Sequence, residues 1–245
     1  MNRIAATVTA ALFAASPALA QEFTGSQKAE IDAQIRAYIL ENPEIIIEAM
    51  EVLEERQRIA QSEADGRLLA SLGDELFNDG FSHVAGNPDG DVTIVEFSDY
   101  RCGYCKQAHD GVQALVSADS NIRLIIKEFP ILGPDSTFAA RAAMASIQQG
   151  GDMYMDFNDA LMRHRGELNQ RSIMRIAREV GLDANALEEA MADPAIARNI
   201  QANYGLARQL DISGTPAFII GDRIVRGFLP YDGLKELVEE AREAG

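Results

Sequence analysis

The two cysteines of this chain, Cys102 and Cys105, stand in a Cys-Gly-Tyr-Cys run directly after the strand-like stretch Val92-Thr93-Ile94-Val95-Glu96-Phe97. Two thiols spaced this way, between a strand and a helix, suit thiol-disulfide exchange, in which one thiolate attacks and the second resolves the mixed disulfide. Cys102 falls at the amino terminus of a helix predicted through Lys106 to Ser117, where free backbone N–H groups and the helix dipole lower a thiol pKa. Cys105, about one turn inside, is expected to be more buried and less acidic. Cys102 is therefore the candidate nucleophile and Cys105 the resolving thiol. No cofactor is expected beyond the redox-active disulfide the two would form.

Two other readings compete. A bridge across two intervening residues closes so small a loop that it removes little chain entropy, and 245 residues can bury a core without it. Metal binding is the stronger rival. His109 follows Cys105 by four positions and would share its helix face, giving two thiolates and an imidazole. A closed zinc site wants a fourth ligand, and His83 and His164 lie outside this segment. Soft Cu(I) would accept Cys102 and Cys105 alone, so a non-enzymatic Cu(I)-binding role stays open.

The start of the chain bears on the compartment. Met1 to Ala20 carries Arg3, an apolar stretch from Ile4 to Phe13, and the A-x-A pattern Ala18-Leu19-Ala20. This is the organisation of a cleaved signal peptide, with an apolar core too short to span a bilayer. An exported, soluble mature chain is expected. Lys and Arg number 22 against 38 Asp and Glu, a net charge of -16 that becomes -17 when Arg3 leaves with the signal. That balance argues against nucleic acid as a partner, and the acidity reads as a solubility feature.

Ahead of the cysteines lies a helical extension. Ile31, Ile35 and Tyr38 or Ile39 recur at helical spacing, Asn42-Pro43 interrupts, and Ile46, Met50, Leu53, Gln57, Ala60, Ala64 and Arg67 then alternate steps of four and three. A narrow stripe on a polar helix needs a cover, either a second copy of the same helix or the chain's own domain. Beyond the cysteines, Ile122 to Phe129 reads as a buried strand. Helical patterns run over Phe138 to Gln148, Tyr154 to His164, Gln170 to Val180, Ala184 to Met191 and Ile196 to Leu210. A strand at Ala217 to Ile220, a turn at Gly221-Asp222, a strand at Arg223 to Gly227 and a helix from Tyr231 to Glu243 complete the order.

Strand, CxxC helix, strand, helical insertion, hairpin and final helix together resemble the DsbA-like branch of the thioredoxin superfamily. The matching residues are Glu96-Phe97-Ser98-Asp99-Tyr100-Arg101-Cys102-Gly103-Tyr104-Cys105-Lys106, Lys127-Glu128-Phe129-Pro130-Ile131-Leu132-Gly133-Pro134 and Gly214-Thr215-Pro216-Ala217-Phe218. With its extension the chain is most similar to the suppressor of copper sensitivity C (ScsC) proteins and related periplasmic isomerases. The resemblance implies an α/β thioredoxin fold with an inserted helical domain. The expected parts are a signal peptide at 1–20, an extension at 21–75, the thioredoxin domain at 76–134 and 211–245, and the insertion at 135–210.

It also implies a periplasmic protein thiol-disulfide oxidoreductase, a disulfide isomerase or reductase if the extension makes it a homo-oligomer and a dithiol oxidase if it is a monomer. Misfolded or cysteine-containing exported proteins would be its clients, and a membrane reductase of ScsB/DsbD type its electron donor. Thr215 and a cis Pro216 would bind an extended client beside Gly103 and Tyr104. In related proteins an acid beneath the CxxC relays protons to the buried cysteine. Glu96, six residues before Cys102, fits that role, with Lys127 on the neighbouring strand as its candidate partner, although strand alternation also allows Glu96 to face solvent. Neither Gly103 nor Tyr104 adds positive charge, so a milder oxidant than DsbA is expected unless Arg101 and Lys106 offset this.

Overall fold

The computed structural model describes residues 24–150 and 153–244; the expected signal peptide, Met1 to Ala20, lies outside the described residues. The chain divides into two compact units after Arg56. In the first, α1 (Gly25–Glu41) begins at a reciprocal cap: Gln27 N–H donates to Thr24 Oγ1 at 3.4 Å and Thr24 N–H donates to Gln27 Oε1 at 2.9 Å. Asn42 caps its far end, and α2 (Glu44–Ser71) starts just past Pro43, where the sequence places the break. None of the α1 side chains is buried, and Ile31, Ile35, Tyr38, Ile46, Met50 and Leu53 are all exposed.

The second unit begins at Gln57, earlier than the 75/76 boundary expected from the sequence. The physical reason is packing. Leu69 near the end of α2, Leu72, and Leu76 of α3 (Gly73–Phe77) are buried in the apolar cluster that closes one face of the sheet.

That sheet has the order β1-β3-β2-β4-β5, built from β1 (His83–Gly86), β2 (Val92–Ser98), β3 (Ile122–Glu128), β4 (Ala217–Ile220) and β5 (Arg223–Arg226). β2 and β3 are parallel, which requires a crossover, and α4 (Gly103–Ala118) supplies it. The other pairs are antiparallel, β4 and β5 as the expected hairpin. The edge strand β1 has no counterpart in the sequence reading. The insertion consists of α5 (Pro134–Ser146), α6 (Met153–Arg163), α7 (Gln170–Glu179), α8 (Ala184–Met191) and α9 (Pro194–Gln209), and α10 (Tyr231–Ala244) closes the fold.

Strand alternation sorts the core into two faces. Ile94, Leu124, Ile126, Phe218 and Ile220 pack with α4, α10 and the insertion, whereas Val95, Phe97, Ile125, Ala217 and Ile219 pack with Leu69, Leu76, Leu206 and Leu210. Among the described residues no helix is long and apolar enough to cross a membrane.

Candidate active site

Cys102 occupies the N-cap position of α4, with extended backbone (φ -73°, ψ 120°), so the open N–H groups of the first helical turn surround its sulfur. The short link from β2 is fixed by Asp99, a buried carboxylate. Its Oδ1 accepts Arg101 N–H and Ser136 Oγ, each at 2.8 Å, and its Oδ2 accepts Leu132 N–H at 3.0 Å. Asp99 thereby ties the CxxC approach to the loop after β3 and the start of α5. Sequence reasoning gave it no role, although an Asp two residues before a backbone donor is a common turn signal.

The Thr215–Pro216 bond is cis, and the Thr215 carbonyl lies 3.2 Å from Cys102 Sγ, joining residues far apart in the chain. Gly103 and Tyr104 are exposed beside it, and the Tyr104 ring stands 6.3 Å from that of Phe228. Leu132 is also exposed, so apolar surface flanks Cys102.

The electrostatics separate the two thiols. Cys102 is pulled down to about 5, chiefly by the Cys105 thiol hydrogen-bonding to it, with help from the Thr215 side chain and from the backbone N–H groups of Cys105 and Tyr104. A carbonyl oxygen cannot stabilise a thiolate, so the Thr215 carbonyl contact serves the protonated form and is not the source of this acidity. Cys105, fully buried, is pushed well above the ordinary thiol range by that same hydrogen bond, by burial and by the charge of Glu96. Both flanking cations are engaged with backbone carbonyls: Arg101 Nη1 donates to that of Leu132 at 2.7 Å, and Lys106 Nζ to that of His164 at 2.7 Å.

Glu96 is only 5 % exposed and lies on the sheet face that α4 covers; burial raises its carboxyl to about 7. Its expected partner is a correction. In the β2–β3 register Lys127 sits opposite Phe97, not Glu96, so its side chain goes to the other face. There Lys127 Nζ donates to Asp79 Oδ2 at 2.5 Å and to the Glu75 carbonyl at 2.8 Å. His109 is a second correction. It shares a helix with Cys105, but its Nε2 meets Asp159 Oδ1 at 2.9 Å, and among the described residues no cluster of three or more His, Cys, Asp or Glu could hold a metal ion.

The sequence reading also missed Glu128, a second buried acid on the Glu96 face. Its Oε1 accepts the hydroxyls of Tyr100 and Tyr154, each at 2.7 Å. Its place at a strand end just before Pro130 gives no local hint of burial.

An acidic thiolate on a helix cap, a buried partner thiol and a cis-proline loop against Cys102 define a dithiol site of the thioredoxin superfamily. Comparison with known proteins agrees: the DSBA-like thioredoxin domain matches residues 93–239, and the copper resistance protein ScsC N-terminal domain matches residues 27–60. The chain belongs to the DsbA-like thioredoxin family of thiol-disulfide oxidoreductases. A thioredoxin-like oxidoreductase from Silicibacter pomeroyi DSS-3 is 48 % identical, covers 70 % of this chain and 98 % of its own, and superposes with a TM-score of 0.68. A linker-deletion mutant of Proteus mirabilis ScsC is 28 % identical, covers 93 % of this chain and 100 % of its own, with a TM-score of 0.69. Among curated relatives, the Na(+)/H(+) antiporter NhaA 1 of Salinispora arenicola is 32 % identical over 161 residues, which is 65 % of this chain but only 24 % of that protein.

Proposed function

We propose that this chain is a periplasmic protein thiol-disulfide oxidoreductase working mainly as a disulfide isomerase or reductase on misfolded or cysteine-containing exported proteins. The observation that carries the exchange chemistry is Cys102 on the α4 cap, acidic and 3.2 Å from the Thr215 carbonyl, with Cys105 buried behind it. The Cys102 thiolate attacks a client disulfide, forming a mixed disulfide and releasing one client thiolate. Cys105 then loses its proton and attacks Cys102 Sγ. The Cys102–Cys105 bond forms, the bond from Cys102 to the client breaks, and the client leaves with both electrons as a thiolate. Repeated work as a reductase requires an outside electron source, for which a membrane reductase of ScsB/DsbD type is our candidate.

The isomerase reading draws support from the first unit. Ile31, Ile35, Tyr38, Ile46, Met50 and Leu53 are exposed on its helices, and the matched ScsC region covers these residues. A second or third copy would bury them and bring several CxxC sites to one client. The test compares the mature chain with one beginning at Gln57, sized by light scattering and assayed on scrambled ribonuclease. We expect an oligomer with isomerase activity from the first, and a monomer that oxidises reduced ribonuclease but does not unscramble it from the second. A monomeric mature chain would remove the isomerase reading in favour of a simple dithiol oxidase, and undiminished exchange by Cys102→Ser would remove the exchange chemistry itself.

A further inference from the structure

Asp99 is only 1 % exposed, and each of its polar groups ends at the CxxC or at an element beside it. Its carbonyl accepts Cys102 N–H at 3.0 Å, closing a four-residue turn from Asp99 to Cys102, and its Oδ1 accepts Arg101 N–H inside that turn. The other carboxylate bonds leave the turn, one from Ser136 Oγ of α5 and one from the Leu132 N–H after β3. Among the described residues the carboxylate is met by neutral donors, since the Arg101 guanidinium turns to the Leu132 carbonyl instead. Both oxygens accept and neither donates, which is the bonding of a carboxylate. The Asp99 N–H is directed at the Cys105 sulfur, where it lowers a thiol that the Cys102 bond, burial and the charge of Glu96 all raise. One residue thus reaches the backbone of Cys102 on one side and the sulfur of Cys105 on the other.

We propose that Asp99 is a positioning residue for the resolving step: its carboxylate, anchored by Leu132 and Ser136, holds the Asp99 peptide so that its N–H meets Cys105 Sγ as that sulfur becomes a thiolate. This rests on the exchange reading above. The resolving step asks the less acidic thiol to carry charge inside the protein, and a fixed donor aimed at the developing charge favours the charged form. That donor belongs to the backbone, so no side chain supplies it. What a side chain can do is hold the peptide in place, and the three bonds to the Asp99 carboxylate do so from two directions, the turn itself and the β3–α5 loop with the start of α5. Asp99 takes up no proton in the step, because its two oxygens are already occupied by those donors. It never meets the client and acts through the sulfur of Cys105.

The experiment mixes the reduced protein with excess oxidised glutathione, which forms the mixed disulfide on Cys102 in a first phase and loses the second glutathione to Cys105 in a later one. The later phase is followed across about pH 5 to 9. Asp99→Asn keeps the Oδ1 acceptor but sets an amide NH2 against the Leu132 N–H, so one anchor is lost together with the charge. The two losses have opposite signs. Were the charge alone at work, removing a negative group beside Cys105 would make that thiol more acidic and speed release. Loss of positioning slows it, and we expect the later phase to fall about tenfold relative to the first, with its rising limb moved up by about one pH unit. Ser136→Ala, which keeps the charge and removes one anchor, should act in the same direction by about threefold and stands in if Asp99→Asn does not fold. The other charged groups facing Cys105, Cys102 of α4 and Glu96 of β2, are unaltered in both variants. Release that is faster or unchanged, including a lowered urea midpoint with a superposed pH profile, overturns the positioning role and leaves the exchange reading intact. Failure of wild type to release the second glutathione at any pH overturns the exchange reading instead.

Discussion

The two faces of the β2–β3 strand pair bury charge in opposite ways. On one, Lys127 is wholly enclosed but answered: Asp79 and the Glu75 carbonyl hold its ammonium, and Asp79 in turn accepts Phe81 N–H at 3.0 Å, Ser82 N–H at 2.9 Å and Ser82 Oγ at 2.6 Å. On the other, among the described residues neither Glu96 nor Glu128 forms an ion pair with a Lys or Arg, and burial raises both toward neutrality. Burying a charge is expensive unless it is paired, and a carboxyl left unpaired takes up a proton. The paired face therefore locks the loop before β1 onto the sheet. The other face holds two acids raised toward neutral pH, one of them, Glu96, near enough for its charge to raise the Cys105 thiol.

The largest effect should come from breaking the paired face. Asp79→Asn leaves Lys127 without its counter-charge and should cost about 3 kcal/mol, measured as a lower urea midpoint with an unchanged slope. Lys127→Met should cost less, since Asp79 keeps its bonds to Phe81 and Ser82 and an apolar side chain of similar length fills the space. Neither should slow thiol-disulfide exchange at Cys102. If both variants cost the same, the ammonium is not what Asp79 is there to satisfy.

Sequence legibility followed the range of the signal. The CxxC, the Asn42-Pro43 break, the hairpin and the five insertion helices were readable, because each is announced by local spacing, caps or turn residues. Leu69, Leu72 and Leu76 gave no such announcement of their place in the sheet's core, since nothing local distinguishes a leucine that seals a sheet from one on a stalk. The edge strand β1 escaped notice because its four residues are only partly buried and carry no alternation. Lys127 was given the wrong partner for the same kind of reason: its real one, Asp79, is 48 positions away, and only the parallel register reveals that Lys127 and Glu96 face apart. Glu128 needed Tyr154 from the insertion before its burial could be seen.

The next effect in size is a pH dependence of stability with opposite signs for the two faces. Glu96 and Glu128 bind protons more tightly folded than unfolded, being raised from an ordinary 4.5 to about 7 and about 8. Between those limits the native state holds more protons than the unfolded chain, so stability falls as pH rises through this window. Asp79 behaves in the reverse way. Burial pushes its carboxyl up, but the bonds from Lys127, Ser82 and Phe81 together outweigh burial and hold it below 3.8, so its contribution is full above that value and is lost as pH falls through the folded one. Urea midpoints for wild type and the Glu96→Gln/Glu128→Gln double variant should diverge most at about pH 8 and converge near about pH 5. Parallel curves would mean that the two acids are not raised.

The smallest effect should come from the cations nearest the nucleophile. Arg101 and Lys106 are the obvious electrostatic reason for an acidic Cys102, yet each donates to a backbone carbonyl, Leu132 or His164, and Arg101 is exposed to screening solvent. The Cys105 thiol leads instead, with the Thr215 side chain and the α4 N–H groups behind it. Arg101→Ala and Lys106→Ala should each move the ultraviolet thiolate titration of Cys102 by less than about 0.3 pH unit. Cys105→Ala should raise it by at least about one unit, because it deletes the leading stabiliser of the thiolate. If the cation variants moved the titration as far as Cys105→Ala, paired charge would govern the catalytic face as it does the Lys127 face, and the contrast between the two would disappear.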